Sequence, residues 1–220
     1  MSKQAFLNSL LAEVARLDES KTSKRNEKVI SGFTSDASPK AIINGKQVSV
    51  FNSNDYLGLR HHPVLKKAEH EASEKFGTGP GAVRFIAGTL EIHIQLEEAL
   101  AKFHNREAAI VFSSAFAANN AVLFSLSKGQ VKDSLVSSEV IVISDELNHR
   151  SIIDGIRLAQ LPSEQRMIFK HMDMVDLENK IKECTGKCKR ILIVTDGVFS
   201  MLGEYQDLAG MQKIIANYDG

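Results

Sequence analysis

The run Val140-Ile141-Val142-Ile143 constrains this chain more than any other stretch. Four consecutive β-branched residues with no polar alternation suit a strand covered on both faces, and such strands belong to parallel sheets flanked by helices. Shorter or similar runs follow the same pattern: Ala108 to Phe112, Met167 to Lys170, and Arg190 to Thr195. Helical periodicity separates them, with Ile92, Leu96, Leu100 and Phe103 on one stripe of a helix over 89–103 and a further helix over 117–126. Strands alternating with helices predict an α/β fold with a largely parallel sheet.

Polar residues gather where these runs end. The Val140 run passes into Ser144-Asp145-Glu146-Leu147-Asn148-His149, after which Ser151, with Asp154 three residues on, reads as the N-cap of a helix. The Ala108 run passes into Ser113-Ser114-Ala115-Phe116, and the Arg190 run into Asp196-Gly197-Val198-Phe199-Ser200. Open α/β sheets bind ligands at the carboxyl ends of their strands, so His149, the 113–116 turn, Asp196 and Ser200 are expected to line one crevice. The small-residue turn before a helix offers free N–H groups and the positive end of the dipole, which suits a phosphate. Taken alone, it also reads as a plain capped helix, and His149 as a structural loop histidine.

Before these elements, Phe6, Leu7, Leu10, Leu11, Val14 and Leu17 recur at helical spacing. A polar segment follows over 18–28, then a β-like stretch over 41–51 in which Asn44-Gly45 suits a type I′ hairpin. Residues 1–50 read as an N-terminal helix and arm, and 51–220 as the first part of the α/β domain. Asn52-Ser53-Asn54-Asp55-Tyr56-Leu57-Gly58 reads either as an Asx-type turn capping the helix over 64–75 or as part of a site. Gly77, Gly79 and Gly81 permit close backbone approach to a ligand or partner chain, yet match no phosphate-loop or dinucleotide fingerprint. Arg84 beside them suits a carboxylate, a phosphate or a structural ion pair.

With 27 basic and 27 acidic residues, the chain has no bulk field for nucleic acid or an anionic membrane surface. No apolar run is long enough for a membrane span, and the N-terminus lacks a signal-peptide core. Cys184 and Cys188 have no second pair, so metal binding is not expected; free thiols point to the cytoplasm.

Together N-S-N-D-Y-L-G-L (52–59), G-T-G-P-G-A-V-R-F-I-A-G-T (77–89), F-S-S-A-F-A-A-N (112–119), S-D-E-L-N-H-R-S-I-I-D-G-I-R (144–157) and V-T-D-G-V-F-S-M (194–201) resemble the α-oxoamine synthase family, in order and spacing. These are fold-type I pyridoxal-phosphate enzymes. The wording is most like the 2-amino-3-ketobutyrate CoA ligase branch, with 8-amino-7-oxononanoate synthase, serine palmitoyltransferase and 5-aminolevulinate synthase as relatives. The resemblance implies a fold-type I large domain and condensation of a glycine-like amino acid with an acyl-CoA, releasing CoA. It implies pyridoxal 5'-phosphate as cofactor and a homodimer with a shared site. It assigns His149 to the cofactor ring and substrate carboxylate, and Ala115 and Phe116 to the phosphate. Asp196 and Ser200 would complete the cofactor pocket, and Asn54, Val83 and Arg84 would lie toward the acyl substrate. The succinyl-using branch carries a hydroxyl where this chain has Val83, so a neutral acyl group is expected.

The family's aspartate for the pyridine nitrogen and its Schiff-base lysine fall after residue 220. The chain is therefore expected to be the N-terminal half of such an enzyme and inactive alone. Lys128, before Gly129, reads as a helix end rather than the missing lysine. A non-catalytic subunit, and an aminotransferase or lyase of the same fold, are the other readings.

Overall fold

The computed structural model describes residues 2–36, 38–129 and 131–218. The chain forms two compact units, 1–90 and 91–220; the expected arm lies within the first.

In the first unit, α1 (Lys3–Glu19) starts where Ser2 Oγ accepts the Ala5 N–H at 3.2 Å. The expected apolar stripe is present and stays largely exposed, with Leu11 at 67%. Strands β1 (Ile30–Phe33), β2 (Ala41–Ile43) and β3 (Lys46–Val48) make an antiparallel meander. Asn44 and Gly45 join β2 to β3 with φ of 50° and 74°, the two positive values a type I′ turn requires. β1 was not foreseen, because a four-residue strand around Gly32 carries little periodic signal. The 52–58 segment is a polar turn in which Ser53 Oγ accepts from Asp55 N and Asp55 Oδ1 from Arg60 N. Helices α2 (Pro63–Phe76) and α3 (Arg84–Ala87) follow, with Pro63 at the helix start, where its missing N–H costs nothing.

The second unit opens with α4 (Glu91–Phe103) and α5 (Ala115–Lys128). Its centre is a three-stranded parallel sheet, order β5-β4-β6, made of β4 (Val140–Asp145), β5 (Arg166–Phe169) and β6 (Arg190–Val194). The crossovers are α6 (Arg150–Leu158) and α7 (Met174–Cys184). A two-stranded hairpin, β7 (Val198–Phe199) with β8 (Glu204–Tyr205), precedes α8 (Leu208–Ile215).

β4 is buried along its whole length, as its sequence demands. Its residues alternate between two cores. Val140 and Val142 meet Leu123, Ile152, Ile156 and Leu161 from the α5–α6 side. Ile141 and Ile143 meet Phe169, Leu177, Ile181 and Met211 from the α7–α8 side. Each such side chain contributes about 1.5–3 kcal/mol when fully removed from water.

One expected strand is absent. Ala108–Phe112 runs extended without a ladder partner among the described residues, and Ile110 is 69% exposed. An apolar run supplies the side chains of a strand, not the neighbour that satisfies its N–H and C=O groups; here Glu97 Oε1 accepts the Val111 N–H instead.

Candidate functional site

The site is built where β4 and β6 end. Asn148, only 4% exposed, ties the two ends together: its Nδ2 donates to Val194 O at 2.8 Å and to Ser144 Oγ at 2.9 Å, while its Oδ1 accepts the Asp196 N–H at 2.8 Å. Asp196 Oδ2 in turn accepts the His149 backbone N–H at 2.6 Å. Two residues that the sequence singled out separately are thus in direct contact.

His149, not Ser151, caps α6. Its Nδ1 accepts the Ser151 N–H at 3.1 Å and lies 2.7 Å from Ser151 Oγ. The imidazole supplies the acceptor a serine was expected to provide. This frees the Ser151 hydroxyl to reach α5, where its Oγ accepts from Asn119 Nδ2 at 2.9 Å. An Nδ1 that accepts an N–H places the proton of the neutral ring on Nε2. The residue is exposed, so one nitrogen is fixed by the helix while Nε2–H and the ring remain available to a ligand.

Asn119 belongs to α5, so the Asn119–Ser151–His149 chain of bonds couples the start of α5 to the imidazole. The helices approach closely because Gly155 faces Asn119 and Asn120; a Cβ there would stand 3.1 Å from Asn119 O and 3.2 Å from Asn120 Cα. At the N-terminus of α5, Ser114 Oγ accepts from Ala117 N at 3.1 Å and Ser114 O from Ala118 N at 3.0 Å. The N–H groups of Ala115 and Phe116 have no hydrogen-bond partner among the described residues, and both residues are exposed. A 14-residue helix with two open N–H groups presents donors and the positive end of its dipole at one point, the combination that suits an anion.

Ser200 is exposed at the start of the β7–β8 turn, which the Gly203 N–H closes on Phe199 O at 2.8 Å. The structure joins it to His149 or Asp196 by no hydrogen bond. Asn54, Val83 and Arg84 belong to the first unit. Asn54 is exposed in the polar turn, Val83 is 64% exposed ahead of α3, and Arg84 Nε donates to Thr89 Oγ1 at 3.3 Å.

A buried cluster behind the site was not foreseen. Asp145, 2% exposed, accepts Leu147 N and His171 Nδ1 on Oδ1, both at 2.9 Å, and Met172 N at 3.0 Å on Oδ2. His171 Nε2 lies 3.0 Å from Glu204 Oε2. The Asp145 carboxylate raises His171 above the ordinary histidine range; burial opposes this and Glu204 adds to it. Only the parallel register, with Asp145 opposite Phe169, brings these distant positions together. The available sequence signal was a polar residue ending each of two neighbouring strands.

Among the described residues, no helix is long and apolar enough to cross a membrane, and no group of His, Cys, Asp and Glu is arranged to hold a metal. Cys184 and Cys188 are free, the first buried among the α7–α8 core.

The chain is similar to curated 8-amino-7-oxononanoate synthases. It is 46% identical to that of Thermoanaerobacter pseudethanolicus over 184 residues, covering 84% of the chain and 44% of the relative. With 8-amino-7-oxononanoate synthase 1 of Bacillus velezensis it shares 42% identity over 210 residues, covering 96% and 49%. It spans about half the length of the curated relatives it matches. Among solved structures, a serine palmitoyltransferase of S. paucimobilis with bound PLP and myriocin superposes with a TM-score of 0.79, at 28% identity, over 99% of this chain and 53% of that one. The 8-amino-7-oxononanoate synthase of Francisella tularensis gives 0.58 at 32% identity, over 74% and 41%. These relatives are of the α-oxoamine synthase kind that the motifs resemble, and the architecture is part of a fold-type I domain. The model of aminotransferase class I and II matches residues 46–219, and the chain belongs to that family.

Proposed function

We propose that this chain supplies the cofactor-phosphate and ring-holding part of a pyridoxal-phosphate enzyme that condenses a glycine-like amino acid with an acyl-CoA. The observation that carries the reading is the joined pair of ligand groups: two open N–H groups at the head of α5 and, linked through Asn119 and Ser151, an imidazole fixed by Nδ1.

The residues fit a flat, phosphorylated ring. Ala115 and Phe116 N–H would hold the phosphate, with the α5 dipole favouring its negative charge. The His149 ring would lie against the cofactor ring, and its Nε2–H would donate to the carboxylate of the amino acid. Asp196 holds the His149 backbone where these contacts are made. Ser200, on its hairpin turn, would approach the phenolic oxygen. When bound, pyridoxal phosphate supplies an electron sink for negative charge on the carbon beside the amino group. Asn54, Val83 and Arg84 would serve the acyl side, and Val83, lacking a hydroxyl, favours a neutral acyl group over succinyl. The reading includes a homodimer, supported by the exposed apolar stripe of α1, and a cytoplasmic setting, supported by the free cysteines.

Ala115→Pro tests the phosphate site. Proline at the first helical position keeps the helix, and Ser114 already has the extended backbone a proline requires, yet one N–H is deleted. A hydrogen bond to a charged group is worth about 1.5–3 kcal/mol, so affinity for pyridoxal phosphate should fall at least ~10-fold with the circular dichroism unchanged. Unchanged affinity would sink the assignment. Amino-acid-dependent thiol release from acyl-CoA, measured on the longest natural product of the gene, tests the reaction; binding without thiol release would shift the reading to an aminotransferase or lyase.

A further inference from the structure

The buried cluster behind the strand ends has a geometry that the proposed chemistry does not use. His171 follows β5, its side chain is 14% exposed, and each ring nitrogen faces a carboxylate oxygen: Nδ1 faces Asp145 Oδ1 at 2.9 Å, and Nε2 faces Glu204 Oε2 at 3.0 Å. Carboxylates only accept, so both contacts are hydrogen bonds only when the ring carries both protons. The Phe199 ring stands edge-on to the imidazole at 4.3 Å. Phe199 and Glu204 are partners across the β7–β8 hairpin, so His171 grips both strands of the element whose turn carries Ser200.

The other end of the grip is equally fixed. Asp145 Oδ1 also accepts Leu147 N, at the start of the segment that leads to His149. Gln206 Nε2 contributes a longer contact to Asp145 Oδ2 at 3.4 Å and donates to Thr195 Oγ1 at 2.8 Å, beside Asp196. Met172 holds the left-handed backbone at φ 54° and directs its N–H to Asp145 Oδ2. That conformation is uncommon for a residue with a side chain, and the surrounding bonds hold it.

The geometry points to His171 as a positioning residue: its doubly protonated ring clamps the β7–β8 hairpin, and with it Ser200, to the end of β4 that leads to His149. The inference rests on the proposed function for the importance of Ser200, but the clamp itself is testable without it. The charged groups around the ring are Asp145 and Glu146 from the end of β4, the latter accepting the His171 N–H, and Glu204 from β8. Along its own segment stand Lys170, whose N–H binds Asp176 of α7, and Asp173, the α7 cap. Carboxylates therefore dominate, and loss of a ring proton leaves one of the two grips without a donor.

The decisive variant is Glu204→Gln, at an exposed position that keeps shape and an acceptor oxygen while removing the charge. Nitrogen-15 NMR of the chain should show both His171 ring nitrogens protonated near neutral pH. Protection of the Gly203 and Gln206 amides, whose N–H groups close the hairpin, taken relative to the intrinsic exchange rate at each pH, should fall at least ~10-fold as the ring titrates, while that of the β4 amides holds. In Glu204→Gln, whose amide can accept from a protonated Nε2 or donate to a deprotonated one, the pH dependence of hairpin protection should flatten. A singly protonated ring near neutral pH, hairpin protection indifferent to pH, or a pH dependence that Glu204→Gln leaves unchanged would overturn the clamp. Equilibrium dialysis with pyridoxal phosphate separates the two claims. An intact clamp with no cofactor binding at any pH refutes the functional reading alone. Cofactor binding with an indifferent hairpin refutes the clamp alone.

Discussion

At the scale of single residues, Ser151 is the most exacting position near His149. It is 1% exposed, its hydroxyl bridges Asn119 and His149, and its backbone N–H binds the same imidazole nitrogen. Ser151→Ala removes the bridge and leaves the N–H. The buried hydroxyl contributes about 1 kcal/mol, read as a lower urea midpoint. Nitrogen-15 shifts should still report the Nε2–H form of His149, because the Ser151 N–H still reaches Nδ1. Affinity for pyridoxal phosphate should fall several-fold, since the ring loses one of its two anchors. A switch to the Nδ1–H form would contradict the account of how the ring is held. The sequence made His149 and Asp196 visible because each follows a buried run. It hid the roles of Asn148, Asn119 and Ser151, since a hydrogen bond between residues 32 or 48 apart leaves no local periodicity.

At the scale of elements, the α5–α6 contact governs whether the anion site and the imidazole share one frame. Gly155 permits it. A methyl group there would stand 2.9 Å from Leu123 Cδ1, which can rotate away, but also 3.1 Å and 3.2 Å from backbone atoms of Asn119 and Asn120, which cannot. Alanine is the better helix former by about 0.8–1.0 kcal/mol. Overpacking of about 1–3 kcal/mol opposes this, and rigid backbone neighbours place the cost toward the upper end. Gly155→Ala should therefore lower the urea midpoint and, by displacing the head of α5, weaken pyridoxal-phosphate binding as well. A midpoint raised above wild type would mean that the helices have room to separate. Elements of this kind were legible to unequal degrees. The runs of β4 and β6 and the Asn44-Gly45 turn carry their own conformational instructions. Ala108–Phe112 has the composition of a strand but no described neighbour, and Ser114 capped its helix two residues earlier than the 117–126 periodicity suggested.

At the scale of the whole molecule, protonation should set the pH range of stability. Asp154, beside Arg150, and Glu178, beside Lys182, both titrate below the usual carboxylate range, through hydrogen bonds to those cations. A depressed folded value gives stability that is present above the unfolded value and lost as pH falls through the folded one. His171 acts in the opposite sense, because its folded value is raised by Asp145 and then by Glu204. Its contribution is complete below the ordinary histidine value near 6.5 and disappears as pH climbs through the higher folded one. Stability should therefore be greatest between the ordinary carboxylate and histidine values and fall on both sides of that range. The acid limb belongs to exposed pairs and should shrink with added salt, whereas the alkaline limb belongs to a sheltered pair and should persist. Thermal unfolding followed by circular dichroism, from acid to mildly alkaline pH at low and high salt, measures both. In Glu204→Gln the alkaline limb should flatten while the acid limb stays, and a wild-type curve that keeps rising above pH 7 would remove His171 from its role as the proton-dependent joint of the strand ends.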